Sequence, residues 1–269
     1  MHRFAMVCLI GLLSACSTTD VQRSALVDRI RNDVADAPAF YSSPSFMRTL
    51  SAVRAVRREA FVPQAIRRQA YAERPWQIGY GQTISDPYIV TIMTAAAEIP
   101  PGGHVLEIGT GSGYQAAVLS RISGQVYSIE IVKALAESAA ARLKHLGYKN
   151  IQVRSGDGFF GWPDKAPFDA ILVTAGASQP PPRLLSQLVS GGRLIMPIGP
   201  STVQERLMVF HKGADGAISR CVLGDATFVP LTGQGARPAG SMGLEEQGLA
   251  YCYGKDLGRW DFQVVPANH

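Results

Sequence analysis

The stretch His104-Val-Leu-Glu-Ile-Gly-Thr-Gly-Ser-Gly113 decides the fold. Val105, Leu106 and Ile108 form an apolar run of strand length around one acid, Glu107. Gly109, Gly111 and Gly113 then alternate with small hydroxyl residues, and from Tyr114 to about residue 122 the apolar spacing is that of a helix. A strand that turns through glycines into a helix opens an α/β sheet. Glycines at such a turn let the backbone approach a ligand closely, and the helix N-terminus behind them favours a negative group. They also serve ordinary tight turns, so the loop alone is a weak signal.

The alternation continues downstream. A second strand is expected at 125–130 (QVYSIE), an Ala/Leu-rich amphipathic helix at 132–146, and a third strand at 151–157 (IQVRSGD). A fourth at 168–176 (FDAILVTAG) is nearly all apolar, the pattern of a strand covered on both faces. A helix over 181–189 turns at Gly191 and Gly192 into RLIMPIG, and residues 205–212 and 226–231 are expected to finish the sheet. The fold class is therefore α/β, a doubly wound, mostly parallel sheet with an N-terminal helical segment. That segment carries Phe46, Leu50, Val53 and Val56 at helical spacing, a second short helix to Tyr71, and a helix over 88–98. Residues 1–16 resemble a lipoprotein signal, 17–45 read as a tether with a short helix at 26–34, and 46–231 form the main domain. The Gly-rich tail 232–269 has no assignment; a packed and a partly disordered tail both fit it.

Composition sets few limits. Of 269 residues 46% are hydrophobic, enough for a sizeable core, and the net charge of +5 is mild. Much of it comes from arginines between Arg48 and Arg74, such as Arg54, Arg57, Arg58, Arg67 and Arg68, which read as the solvated face of helices. No aromatic interleaving or nucleic-acid motif accompanies them, so no nucleic-acid partner is expected. Cys8, Cys16, Cys221 and Cys252 match no zinc spacing and imply no disulfide framework, and the five histidines are scattered, so no metal is expected.

The glycine loop disfavours a dinucleotide, and with it an NAD oxidoreductase. Counted from Gly109, the third glycine or alanine of that fingerprint falls on Tyr114. An acid followed by G-x-G-x-G instead resembles the first motif of the class I, Rossmann-like S-adenosylmethionine-dependent methyltransferases. Two more acids strengthen the resemblance. Glu130 ends the second strand, where a carboxylate can accept from both ribose hydroxyls, and Asp157 ends the third in Gly-Asp-Gly158, where it can accept from the adenine amino group. Each acid alone reads equally as a helix cap; all three at carboxyl ends of strands point to a ligand. The expected cofactor is S-adenosyl-L-methionine, with Glu107, Gly109, Gly111, Gly113, Glu130, Asp157 and Gly158 around it.

After the fourth strand, Val173-Thr-Ala-Gly-Ala177 offers no polar clamp for an amine and no general base. A carboxylate needs none, because it is ionised at neutral pH. Taken with GYGQTISDPYIV at 79–90, GDGFFGWPDKAPFDAILVTAGA, GGRLIMPIG and FVPL, the chain from about residue 53 to 231 closely resembles protein-L-isoaspartate (D-aspartate) O-methyltransferase. The resemblance implies methylation of the free carboxyl of L-isoaspartyl residues in damaged proteins and peptides, with repair through a succinimide. It implies that Thr83, Ile84 and Ser85 line the peptide site, with Ser85 catalytic, and a monomer is expected. Ser85 is expected to orient the carboxylate, with Asp86 capping the helix that follows, although Ser85 ahead of Asp86-Pro87 is itself a good helix start. The 228–231 segment, Val229 within it, is expected to offer backbone groups to the peptide, an edge strand being the plainer reading.

Two arguments conflict on location. Leu13-Ser-Ala-Cys16 after an apolar run points to lipidation at Cys16 and a membrane anchor facing the periplasm. The cofactor is made in the cytosol, and the expectation is a cytoplasmic enzyme, with the anchored form as the alternative. Two functional alternatives remain: a same-fold methyltransferase acting on another carboxylate or a small molecule, and a non-catalytic cofactor-binding envelope lipoprotein.

Overall fold

The computed structural model describes residues 5–200, 205–236 and 249–257, with side chains from residue 19 onward; the Cys16 side chain and much of the tail lie outside them. The chain begins with α1 (Ala5–Asp33), α2 (Pro38–Tyr41) and α3 (Pro44–Ala55), then two 3-10 turns at Arg58–Ala60 and Gln64–Gln69. A hairpin of β1 (Trp76–Gly79) and β2 (Gln82–Ile84) leads into α4 (Pro87–Ala96). The α/β part follows: β3 (His104–Ile108), α5 (Tyr114–Leu119), β4 (Gln125–Glu130), α6 (Lys133–His145), β5 (Ile151–Ser155), β6 (Phe168–Val173), α7 (Pro182–Ser186), β7 (Leu188–Ile198), β8 (Glu205–Lys212) and β9 (Ile218–Ala226).

The seven-stranded sheet has the order β5-β4-β3-β6-β7-β8-β9. Neighbours from β5 to β7 are parallel, and β8 and β9 add antiparallel. The α/β, doubly wound expectation holds. Alternate residues of each strand feed two cores. Val105, Val126, Ala170 and Ile195 face α1 to α5, while Leu106, Tyr127, Ile171 and Met196 face α7 and the irregular segments. All ten residues of α4 are buried, so this helix is a layer inside the protein rather than an amphipathic cover.

Four expectations need correction. Residues 17–45 are not a tether: Leu26, Ile30 and Phe40 are fully buried beneath α3 and α4. Segment 226–231 is not a strand; β9 takes the edge, and 228–231 makes only an isolated bridge from Pro230 to Gly176. The cysteines do form a disulfide, Cys221 to Cys252, with Cα atoms 5.0 Å apart. It holds residues 250–252 parallel to β9, where the Val222 amide donates to Ala250 O and the Cys252 amide to Val222 O. Leu257 continues along Leu223, and its carbonyl accepts from the Tyr88 hydroxyl. This part of the tail is packed. Lastly, Arg58 is not on a solvated face but wholly buried.

Among the described residues no helix is long and apolar enough to cross a membrane, and no group of His, Cys, Asp and Glu could hold a metal.

Candidate active site

A cavity opens at the carboxyl ends of β3, β4 and β6, where an open α/β sheet offers a ligand site. Gly109 and Gly111 form its floor. Gly109 has a φ of +97°, and a Cβ there would meet Thr174 Oγ1 at 2.4 Å, so only glycine fits between the loop and the end of β6. Gly113 packs against a helix of the body. It is not among the cavity-lining residues, and a Cβ on it would press on Leu143 of α6 at 3.2 Å. Its lack of a side chain lets the loop approach α6 closely.

The three acids separate in the structure. Glu130 lines the cavity; its Oε2 accepts from the Gly111 amide at 2.8 Å and its Oε1 from the Val132 amide at 2.9 Å. A carboxylate oxygen has two acceptor sites, so both oxygens keep capacity toward the cavity. Glu107 lies underneath, fully buried, accepting from Ser128 Oγ. Burial pushes its pKa up to about 8; the Ser128 hydroxyl opposes this and the charge of Glu130 adds to it. Glu107 therefore supports the loop from below and is not part of the lining. Asp157 is not in the lining either, although its neighbour Gly158 is. Asp157 caps the 3-10 turn Gly158–Phe160 through the Phe159 amide, and its Oδ2 accepts from the Gln234 amide at 2.8 Å.

The opposite wall comes from the hairpin and from the segment after β9. Gln82, Thr83 and Val229 line the cavity together with Pro230, Leu231 and Thr232. Ile84 is buried in the core and does not line it. Ser85 is half-buried beyond Thr83 and outside the lining, and its hydroxyl makes no hydrogen bond among the described residues. The helix cap is Asp86, whose carboxylate accepts from the Tyr88 amide at 2.7 Å. Burial raises the pKa of Asp86 to about 6, against the pull of the Tyr88 amide and of Arg58. The Val229 carbonyl accepts from Gly176 and the Leu231 amide donates to Gly176, so this segment is tied to the end of β6.

The sequence profile of the protein-L-isoaspartate(D-aspartate) O-methyltransferase (PCMT) family matches residues 43–236. The chain belongs to this family. The chain is 54% identical over 184 residues to a protein-L-isoaspartate O-methyltransferase of Opitutus terrae, covering 68% of this chain and 78% of that one. It is 50% identical over 187 residues to one from a Polaromonas species, covering 70% and 89%. A solved protein-L-isoaspartate O-methyltransferase superposes with a TM-score of 0.66 at 26% identity, covering 78% of this chain and 67% of that one. A Plasmodium falciparum protein assigned to the same enzyme, in complex with S-adenosyl-L-homocysteine, superposes at 0.64 with 22% identity, covering 78% and 98%, which shows the fold alone.

The family match includes every lining residue and ends before the disulfide-held segment at 249–257. Sequence reasoning missed Ile131, Thr174 and Ala175 in the lining of this methyltransferase. Thr174 and Ala175 had a signal: they directly follow the fourth apolar run, at the strand end where ligands gather. Arg58 had none, because a lone arginine in a basic stretch looks like any solvated cation.

Proposed function

We propose that the chain binds S-adenosyl-L-methionine over the glycine loop and methylates the free carboxyl of L-isoaspartyl residues in damaged proteins and peptides, starting their return to aspartate through a succinimide. One observation carries this reading. The cavity floored by Gly109, Gly111 and Glu130 is walled by Gln82, Thr83 and Val229, so a donor site and the segment expected to hold the acceptor are contiguous.

The residues present suit the cofactor. Glu130 is pre-oriented by two amides and keeps lone pairs for a vicinal diol. Gly158 presents a bare backbone, since a Cβ there would lie 2.1 Å from Ile108 Cγ2. Asp157 accepts from the Phe159 and Gln234 amides, and its remaining lone pairs are available to an exocyclic amine. When bound, the cofactor supplies a methyl group on a cationic sulfur. The protein supplies orientation. The lining contains no His, Lys or Cys, in keeping with a nucleophile that arrives already ionised. The Ser85 hydroxyl, free of protein partners among the described residues, is the donor we assign to one carboxylate oxygen, leaving the other to attack. The amide of Val229, a residue that lines the cavity, makes no hydrogen bond among the described residues and is the second donor we assign. The experiment is incubation with an isoaspartyl peptide followed by mass spectrometry. A base-labile methyl ester, then a succinimide, then an aspartyl peptide are expected; a stable methylated product would point to a different acceptor group and overturn the reading.

For location, two independent features favour the anchored alternative over the cytoplasm. The Leu13-Ser-Ala-Cys16 start resembles a lipoprotein signal, and the Cys221–Cys252 disulfide suits an oxidising compartment. Cytosolic supply of the methyl donor is the opposing consideration. Fractionation with mass spectrometry of the native N-terminus decides: an acylated Cys16 is expected, and an unmodified Met1 in the soluble fraction would overturn the assignment.

A further inference from the structure

Among the described residues Arg58 is the largest fully buried side chain, with no exposed surface. It sits between the N-terminal layer and the site. Its Nε donates to the Ala70 carbonyl at 2.8 Å, and its Nη2 donates to the Ser85 carbonyl at 2.7 Å. Its guanidinium lies over the ring of Tyr114, 4.7 Å from the centroid. Tyr114 is the first residue of α5, directly after the cofactor loop. Asp86, which caps α4, supplies a nearby negative charge. Burying an arginine is costly unless its charge and donors are met; here two carbonyls take Nε and Nη2, the aromatic face behind the donor loop and the Asp86 charge offset the cation, and Nη1 has no hydrogen-bond partner among the described residues. The planar fork can hold two carbonyls while stacking on a ring; a lysine cannot do both.

We propose that Arg58 is a positioning residue for methyl transfer: it fixes the backbone of Ser85 relative to the glycine loop, so that acceptor and donor meet in register. This rests on the functional reading above, in which Ser85 orients the acceptor carboxylate. Arg58 touches neither substrate nor cofactor. Its effect passes through the Ser85 carbonyl on one side and the Tyr114 ring on the other. Methyl transfer demands a near-linear approach, and small displacements of the acceptor reduce the rate steeply while leaving each ligand's own site intact.

The test compares the native protein with Arg58→Lys, using three readouts. These are turnover of an isoaspartyl peptide at saturating donor, S-adenosyl-L-homocysteine affinity by calorimetry, and hydrogen exchange of the amides over 82–90. Turnover is expected to fall at least about tenfold. Product affinity should change by less than about threefold, and exchange should quicken over 82–90 but not over β3 and β4. Turnover within about twofold of native, or turnover and product affinity falling together, would overturn the assignment. Should Arg58→Lys fail to fold, replacing the Ser85–Asp86 amide by an ester weakens that one carbonyl as an acceptor and keeps every side chain. The same split of turnover from product affinity is expected, and native turnover in the ester would overturn the proposal. Absence of isoaspartyl activity in the native protein would instead refute the functional reading, while the exchange readout would still report whether Arg58 holds the segment.

Discussion

Glu130 and Ser85 divide the work of the site, and the division is measurable. Glu130 lines the cavity with both oxygens held by backbone amides, and donor binding is the role we propose for it. Glu130→Ala should weaken S-adenosyl-L-homocysteine binding by about 1.5–3 kcal/mol, roughly 10–150-fold, in calorimetry. Ser85→Ala should leave that affinity near native and lower turnover; loss of product binding in a folded Ser85→Ala protein would contradict the assigned role. Glu107 makes a pH prediction. Its pKa is raised from 4.5 to about 8, chiefly by burial. The folded state thus keeps a proton that the unfolded chain releases. The resulting contribution to stability is fully present below pH 4.5 and is lost as pH rises through about 8. Glu107→Gln is neutral at every pH and should flatten the decline of Tm across that window; an unchanged slope would contradict the assignment. At this scale the sequence marked all three acids as site candidates, but not that Glu107 lies beneath the loop while Glu130 lines the cavity. Carboxylates at strand ends look alike in one dimension; Glu107 and Glu130 are both buried, and only the packing around them leaves Glu130 lining the cavity.

At the scale of elements, the parallel strands were legible because strands covered on both faces read as apolar runs, as 104–108 and 168–173 do. β9 was not, because its first three residues are exposed and only Val222, Leu223 and Gly224 in its middle are consecutively buried. Residues 17–45 misled for a related reason: Leu26, Ile30 and Val34 share one helical face, but what covers it is a core built from other elements, α3 among them. The segment at 250–252 could not be read at all, since a pairing with β9 across a gap of 31 residues leaves no local pattern. That pairing carries a prediction. Cys252→Ser should lower stability by about 2–4 kcal/mol, or Tm by roughly 4–16 °C. Product affinity should not change, because neither cysteine lines the cavity. A native Tm in the variant would mean that the disulfide does not hold the edge.

For the whole molecule, two layers meet at one site. The sheet supplies the glycine loop and Glu130, and the N-terminal layer delivers the Gln82–Ser85 segment on a hairpin braced by Arg58 and Asp86. The chain ends reinforce this frame outside the family match: Tyr253 packs on Phe40 of α2, and the Leu257 carbonyl receives the Tyr88 hydroxyl of α4. Such a frame can choose between two carboxyl groups that differ only in where the backbone attaches to them. The most direct measurement is therefore methyl transfer from labelled donor to an isoaspartyl peptide and to its aspartyl twin of the same sequence. A kcat/KM ratio of at least about a hundredfold in favour of the isoaspartyl peptide, or about 2.7 kcal/mol, is predicted. Equal labelling of the two peptides, or labelling of neither by protein that still binds S-adenosyl-L-homocysteine, would contradict it.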